Sequence, residues 1–255
     1  MITLDQISIG YGSRLLIEGA SATFLRGELT ALVGRNGSGK STLLRLLAQL
    51  EGGLGGRLLL DGEPVEELSP RRLAESVSFV TTERVRGVGL SVWDVVALGR
   101  APYTNWLGRL SREDREVVAH SLRLVGMDSF AERNLDTLSD GECQRVMIAR
   151  ALAQQTPAIL LDEPTSFLDL PNRYELCSLL AKLAHEEQKC VLFSTHELDI
   201  ALSLSDRIAL IDSPTLRVLP TMEMAQSGHL ERLFSNSSVR IDPSDGVVRI
   251  LKEGR

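Results

Sequence analysis

The sequence is poor in several things, and each scarcity excludes something. Only three of its 255 residues are cysteines: Cys143, Cys177 and Cys190. The number is odd and no pair has a metal-ligand spacing such as C-x-x-C. A disulfide framework or a zinc site is therefore not expected, and free thiols in a reducing compartment are the simplest reading. No run approaches the ~18 apolar residues that span a bilayer, so any membrane role must come through a partner. The start, Met1-Ile2-Thr3-Leu4-Asp5, has no basic stretch followed by an apolar run, and no signal peptide is expected. Basic residues number 28 against 34 acidic ones, for a net charge of -6. Without a domain-wide basic field, nucleic acid is not an expected partner. Internal repeats, low-complexity tracts and heptad runs are absent too.

What remains is 43% hydrophobic and 24% charged. That is ordinary for a soluble globular domain, and the length suits one domain, or one with a subdomain. Residues 3–33 read as strands and turns, although Leu4, Ile7 and Ile9 alternate only imperfectly. Residues 41–50 switch to helical periodicity, with Leu43, Leu47 and Leu50 on one face. A glycine-rich turn at 52–56 precedes a hairpin around 58–62. From about residue 84 to 137 strand signals vanish. Residues 92–98 predict a helix, and Ser111-Arg112-Glu113-Asp114 is a capping box opening another, so this stretch reads as an inserted helical subdomain. Continuous apolar runs at 158–161 and 191–193 predict strands buried on both faces, with a helix of about 173–184 between them. After residue 213 the chain looks peripheral and ends in a hairpin turn at 243–246.

Gly34-Arg35-Asn36-Gly37-Ser38-Gly39-Lys40-Ser41 fits G-x-x-x-x-G-K-[ST], a phosphate-binding loop. Its glycines let backbone N–H groups approach phosphate oxygens. Lys40 supplies a point charge to the outer phosphates. Ser41 offers a hydroxyl to Mg²⁺, and the helix it opens turns its positive end to the anion. An apolar strand before the loop and a periodic helix after it favour this over a ligand-free glycine turn. The 158–161 strand ends in Asp162-Glu163-Pro164. Strand ends gather beside the phosphate loop in doubly wound sheets. Asp162 suits the Mg²⁺ shell and Glu163 the base that polarises an attacking water. His196 follows a second core strand, so it can reach the same rim and hydrogen-bond a γ-phosphate. Leu138-Ser139-Asp140-Gly141-Glu142 opens an apolar-periodic helix, and alone it is an ordinary capping box.

The order of these segments resembles the ATPase subunits of ABC transporters over essentially residues 1–212. The resemblance implies an α/β fold: a P-loop NTPase core with a mostly parallel sheet, an N-terminal antiparallel β subdomain and a helical subdomain at about 84–157. Residues 213–255 would extend the same domain. In that family 34–41 is the Walker A motif, with Thr42 adjoining it. Residues 159–163 match Walker B, and 138–142 match the signature LSGGQ, here LSDGE. Residues 166–169, here SFLD, match the D-loop and bring Asp169 to the nucleotide. His196 matches the switch histidine and Tyr11 the aromatic that stacks on adenine. The resemblance further implies ATP with Mg²⁺ and a head-to-tail homodimer, in which Ser139, Gly141 and Glu142 of one subunit face the γ-phosphate held by Lys40 of the other. Beyond that it implies a polytopic membrane permease, and a substrate-binding protein indirectly. The chain would then sit at the cytoplasmic face of the inner (plasma) membrane, peripheral through the permease.

The departures are specific. Asp140 replaces a glycine and Glu142 a glutamine. Thr82, followed by Glu83, stands where the family has a glutamine that reaches Mg²⁺, so Thr82 is assigned as a metal ligand acting through water. Residues 93–110, with Ala101-Pro102-Tyr103, look like the iron-chelate, haem and cobalamin uptake branch. An importer ATPase is therefore the leading reading. An exporter or lipoprotein-release ATPase is the alternative, and a soluble ABC protein acting on nucleic acid or ribosomes the third.

Overall fold

The computed structural model describes residues 1–12, 14–81, 89–105, 108–166 and 168–233, and the backbone of two short strands at 239–241 and 248–250. In chain order it runs β1 (Ile2–Tyr11), β2 (Arg14–Phe24), β3 (Leu29–Gly34), α1 (Lys40–Leu47), β4 (Gly55–Leu60), β5 (Glu63–Pro64), α2 (Pro70–Ser76), β6 (Val77–Val80), α3 (Val92–Ala97), α4 (Arg112–Leu124), α5 (Asp140–Ala153), β7 (Ala158–Leu161), α6 (Leu170–His185), β8 (Cys190–Thr195), α7 (Leu198–Leu204), β9 (Arg207–Asp212), β10 (Thr215–Pro220), α8 (Thr221–Gln226), α9 (His229–Leu233), β11 (Val239–Ile241) and β12 (Val248–Ile250).

Two sheets carry the fold. β2-β1-β4-β5 is antiparallel, and β10-β9-β3-β8-β7-β6 is parallel except for the edge strand β10. The continuous apolar runs sort by period two. Leu29, Ala31 and Val33 of β3, Ile159 and Leu161 of β7, and Val191 and Phe193 of β8 face one core, shared with α3 to α9. Leu32, Leu160 and Leu192 face the other, shared with α1 and the antiparallel sheet. A strand buried on both faces has no polar side to show, which is why these segments read as unbroken hydrophobic runs. The poor alternation in β1 is also explained. Its register with β2 shifts between Leu4 and Ile7, where Gln6 adopts a φ of 55°. The irregularity carries Leu4, Ile7 and Ile9 all inward.

The helical segment packs α3 and α4 on α5, and α3, α4 and α5 all open with a complete capping box, at Ser91, Ser111 and Ser139. A buried ion pair joins its parts. Arg100 Nε lies 2.8 Å from Asp114 Oδ1, and the same guanidinium donates to Ala153 O and Gln155 Oε1 while stacking 4.1 Å from the Tyr103 ring. The Arg100–Tyr103 segment is thus a clamp onto the end of α5. Gln154, at that end, donates to the carbonyls of Ala74 and Val77 where β6 begins. Beyond residue 213, β10 closes one edge of the main sheet, while Met224, Ala225, Leu230 and Leu233 of α8 and α9 enter the larger core. Among the described residues no helix is long and apolar enough to cross a membrane.

Candidate nucleotide site

β3 delivers the phosphate loop at the C-terminal rim of the sheet, and β8 and β7 lie beside it in that order. Their registers, Val33 to Thr195 and Leu161 to Phe193, bring the ends of all three strands to one rim. An open cleft of about 690 Å³ lies there, lined by Tyr11, Arg14, Leu16, Asn36, Gly37, Gly39, Lys40, Ser41, Thr42, Glu163 and His196. Nine of the residues assigned from sequence therefore share one cavity.

The loop's geometry follows from its glycines. Gly39 caps α1 at φ 106°, a conformation in which a side chain is strained. Gly34 has no room for one, since a Cβ there would lie 2.6 Å from Ser38 Oγ and 2.8 Å from Ile211 O. Lys40 is buried and folds its Nζ back to Gly34 O at 3.0 Å. Burial lowers the Lys40 ammonium below its ordinary range, and the carboxylates of Glu163 and Asp162 offset this only in part. Arg35 points away from the cleft and donates twice, through Nε and Nη2, to Leu233 O at the end of α9.

At the neighbouring strand ends, Glu163 takes a left-handed backbone with φ 44° and turns its side chain into the cleft. His196 Nδ1 lies 3.8 Å from Glu163 Oε2. Asp162 is buried behind it. Ser194 fixes both acids, donating from Oγ to Asp162 Oδ1 at 2.7 Å and accepting from Glu163 N at 2.8 Å. Ser194 had no role in the sequence reading, and neither did Arg14, whose Nη2 donates to Gly37 O at 3.1 Å. Neither residue lies in a motif that would have flagged it. Tyr11 is 57% exposed, with its hydroxyl donating to Glu51 Oε2 at 2.7 Å and lying 3.2 Å from Thr42 Oγ1. That leaves a ring face open to a ligand.

The remaining assignments lie elsewhere. Ser139, Gly141, Glu142 and Asp169 do not line this cleft. Ser139 and Glu142 close the capping box on each other, with Glu142 Oε2 accepting from Ser139 N at 2.8 Å and from its Oγ at 2.7 Å. These hydrogen bonds from the Ser139 backbone and hydroxyl hold the Glu142 carboxyl below its ordinary range. Asp169 caps α6 by accepting from Asn172 N. Thr82 and Glu83 lie outside the described residues.

Residues 17–166 match the family model described as ABC transporter. The chain belongs to this family. It is 34% identical over 244 residues to the iron(3+)-hydroxamate import ATP-binding protein of Bacillus subtilis, which covers 95% of this chain and 91% of that one. Among solved structures it resembles a metal-chelate type ABC transporter in an inward-facing conformation, with 29% identity and a TM-score of 0.80 over 92% of this chain and 88% of that chain. It also resembles a dimeric ATP-binding cassette in a post-hydrolysis state bound to ADP and Pi, with 27% identity and a TM-score of 0.75 over 87% and 99% of the two chains. The chain is thus an ATP-binding, ATP-hydrolysing ABC subunit with the P-loop NTPase fold.

Proposed function

We propose that this ABC ATPase energises an importer of iron-siderophore complexes, a cargo class favoured by the hydroxamate-import relative over haem or cobalamin. The observation that carries the site is the convergence of Lys40, Ser41, Glu163, His196 and Tyr11 on one cleft. Tyr11 stacks the adenine. The loop N–H groups and Lys40 hold the phosphates. Glu163 polarises the attacking water, and His196 hydrogen-bonds the γ-phosphate. The oxygen donors Ser41 and Asp162 fit a hard cation with few protein ligands, as Mg²⁺ bound with ATP requires. When bound, that ion neutralises charge on the outer phosphates. Thr82 is proposed to add a water-mediated contact.

Ser139, Gly141, Glu142 and Asp169 lie outside the cleft of their own chain, which supports a head-to-tail homodimer in which a second copy brings them to the γ-phosphate. The helical segment would dock a polytopic permease at the cytoplasmic membrane face, and a binding protein would deliver cargo to that permease.

Glu163→Gln keeps size and hydrogen bonding but removes the base. Turnover should fall by roughly two to four orders of magnitude while ATP still binds and holds a dimer on gel filtration. Near-normal turnover removes Glu163 from this role. Cargo is tested in proteoliposomes carrying the permease, with ATP-dependent uptake of a ferric hydroxamate supplied by the binding protein. ATP hydrolysis without uptake of that cargo moves the assignment to another class.

A further inference from the structure

Glu163 and His196 sit at the ends of adjacent strands, β7 and β8, and the chain leaves the sheet immediately after each. The β7–β8 ladder ends at Leu161 and Phe193, and the Glu163 N–H bond to Ser194 Oγ holds the first segment to β8 only at its start. One side chain outside the cleft touches both. Arg173, in the first turns of α6, donates from Nε to Leu168 O at 2.7 Å. Its Nη1 pairs with Glu197 Oε1, on the residue that directly follows His196. Leu168 closes the turn that starts at Glu163: Glu163 O accepts from Ser166 N, and Thr165 O accepts from Leu168 N. Glu197 is held from its other side too, its N–H donating to Thr195 Oγ1 at 3.0 Å. Its side chain is 10% exposed and that of Arg173 31%, so the pair is screened from solvent on the Glu197 side only.

We infer that Arg173 is a positioning residue, whose fork ties the segment after Glu163 to the segment after His196 and so sets the spacing of the base and the histidine. The inference rests on the reading of Glu163 and His196 given above. A guanidinium suits the task because its donors are fixed in one plane, so two acceptors on different segments are held in a set relation. An ammonium on a flexible stem fixes only one point. The same clamp has a second reach. Leu168 packs against Gly141, where a Cβ would lie 2.9 Å from Leu168 Cδ2. The first turn of α5 therefore leans on the segment that Arg173 holds.

The test is a set of steady-state and single-turnover ATPase measurements on Arg173→Ala, Arg173→Lys and Glu197→Gln, alone and with His196→Ala. Misplacing a reacting group by about an ångström costs up to a hundredfold. Arg173→Ala should lower kcat by about tenfold or more, with ATP KM within about twofold of the parent. Arg173→Lys should recover only part of the loss, since it keeps the charge but not the fork. In the His196→Ala background Arg173→Ala should cost little more, because coupled residues are non-additive. Glu197→Gln, which keeps a hydrogen-bonding side chain, gives the same readout in a milder form if Arg173→Ala does not fold. Full recovery by Arg173→Lys, or losses that multiply with His196→Ala, overturns the clamp. A lowered melting temperature with kcat unchanged does so as well. If His196→Ala and Glu163→Gln themselves turn over normally, the site reading fails instead.

Discussion

The Ser194 hydroxyl lies 2.7 Å from Asp162 Oδ1, at the end of the strand next to the one that carries the acid. The same oxygen accepts the Glu163 N–H, so one buried hydroxyl orients both neighbouring carboxylate residues. Ser194→Ala removes both bonds and leaves the Glu163 N–H without its partner. A stability loss of about 1–3 kcal/mol is expected from such an orphaned group. Turnover should fall, and the Mg²⁺ concentration for half-maximal activity should rise. Thermal melting and a Mg²⁺ titration of ATPase rate check this, and an unchanged Mg²⁺ requirement would separate Ser194 from the Asp162 carboxylate's task.

Glu51 holds the Tyr11 hydroxyl, and Arg45 Nη1 lies 3.3 Å from the other oxygen of Glu51. The exposed ring is therefore restrained before nucleotide arrives. Releasing it adds an ordering cost of ~0.5–1.5 kcal/mol per side chain to binding. Tyr11→Phe and Glu51→Ala should each raise the ATP KM by about two- to tenfold without changing kcat, and together no further. Tyr11→Ala should do more, because it also removes the stacking face. Stacking tolerates any base, so GTP should be accepted with modest discrimination. Competition kinetics with both nucleotides measure all of these.

The Arg100–Asp114 pair predicts acid sensitivity. Burial pushes the Asp114 carboxyl up, but hydrogen bonds from the Ser111 hydroxyl and backbone and from Arg100, with the Arg100 charge, leave it below its ordinary range. A carboxyl lowered in the folded state stabilises the fold above its unfolded pKa, and that contribution is lost as pH falls through the folded value. Stability should therefore hold above about pH 4 and decline below it. Asp114→Asn should lower the melting temperature at neutral pH and flatten this acid limb. Arg100→Leu, which strands a buried carboxylate, should cost about 3–5 kcal/mol.

The three thiols are unequal. Cys177 and Cys190 are buried, and burial pushes both thiols up to about 12. Cys143 is only half-buried, in the first turn of α5, with Sγ 3.7 Å from Leu135 O. An alkylating reagent on the native protein should modify Cys143 alone and slow turnover, and ATP should protect it. Mass spectrometry of the labelled protein checks the site. Inactivation of Cys143→Ser at the parent rate would place the sensitivity elsewhere.

The phosphate loop, the Asp162-Glu163 strand end and the His196 strand end were legible in the sequence because their signals are local. Glycines need particular backbone angles, and strands buried on both sides need apolar runs. The capping boxes at Ser111 and Ser139 are equally local and legible, whereas the one at Ser91 emerges only in the structure. What folding alone decided spans long separations. Ser194 meets Asp162 across 32 positions, Tyr11 meets Glu51 across 40, and Arg35 meets the Leu233 carbonyl across 198. The segment after residue 213 looked peripheral because α8 and α9 have six and five residues, too few to display a helical period. Only packing shows Leu233 buried in the core with its carbonyl holding the phosphate-binding loop from behind. A hydrogen bond between distant segments leaves no spacing in the chain, so its partners become visible only where the sheet order places strand ends side by side.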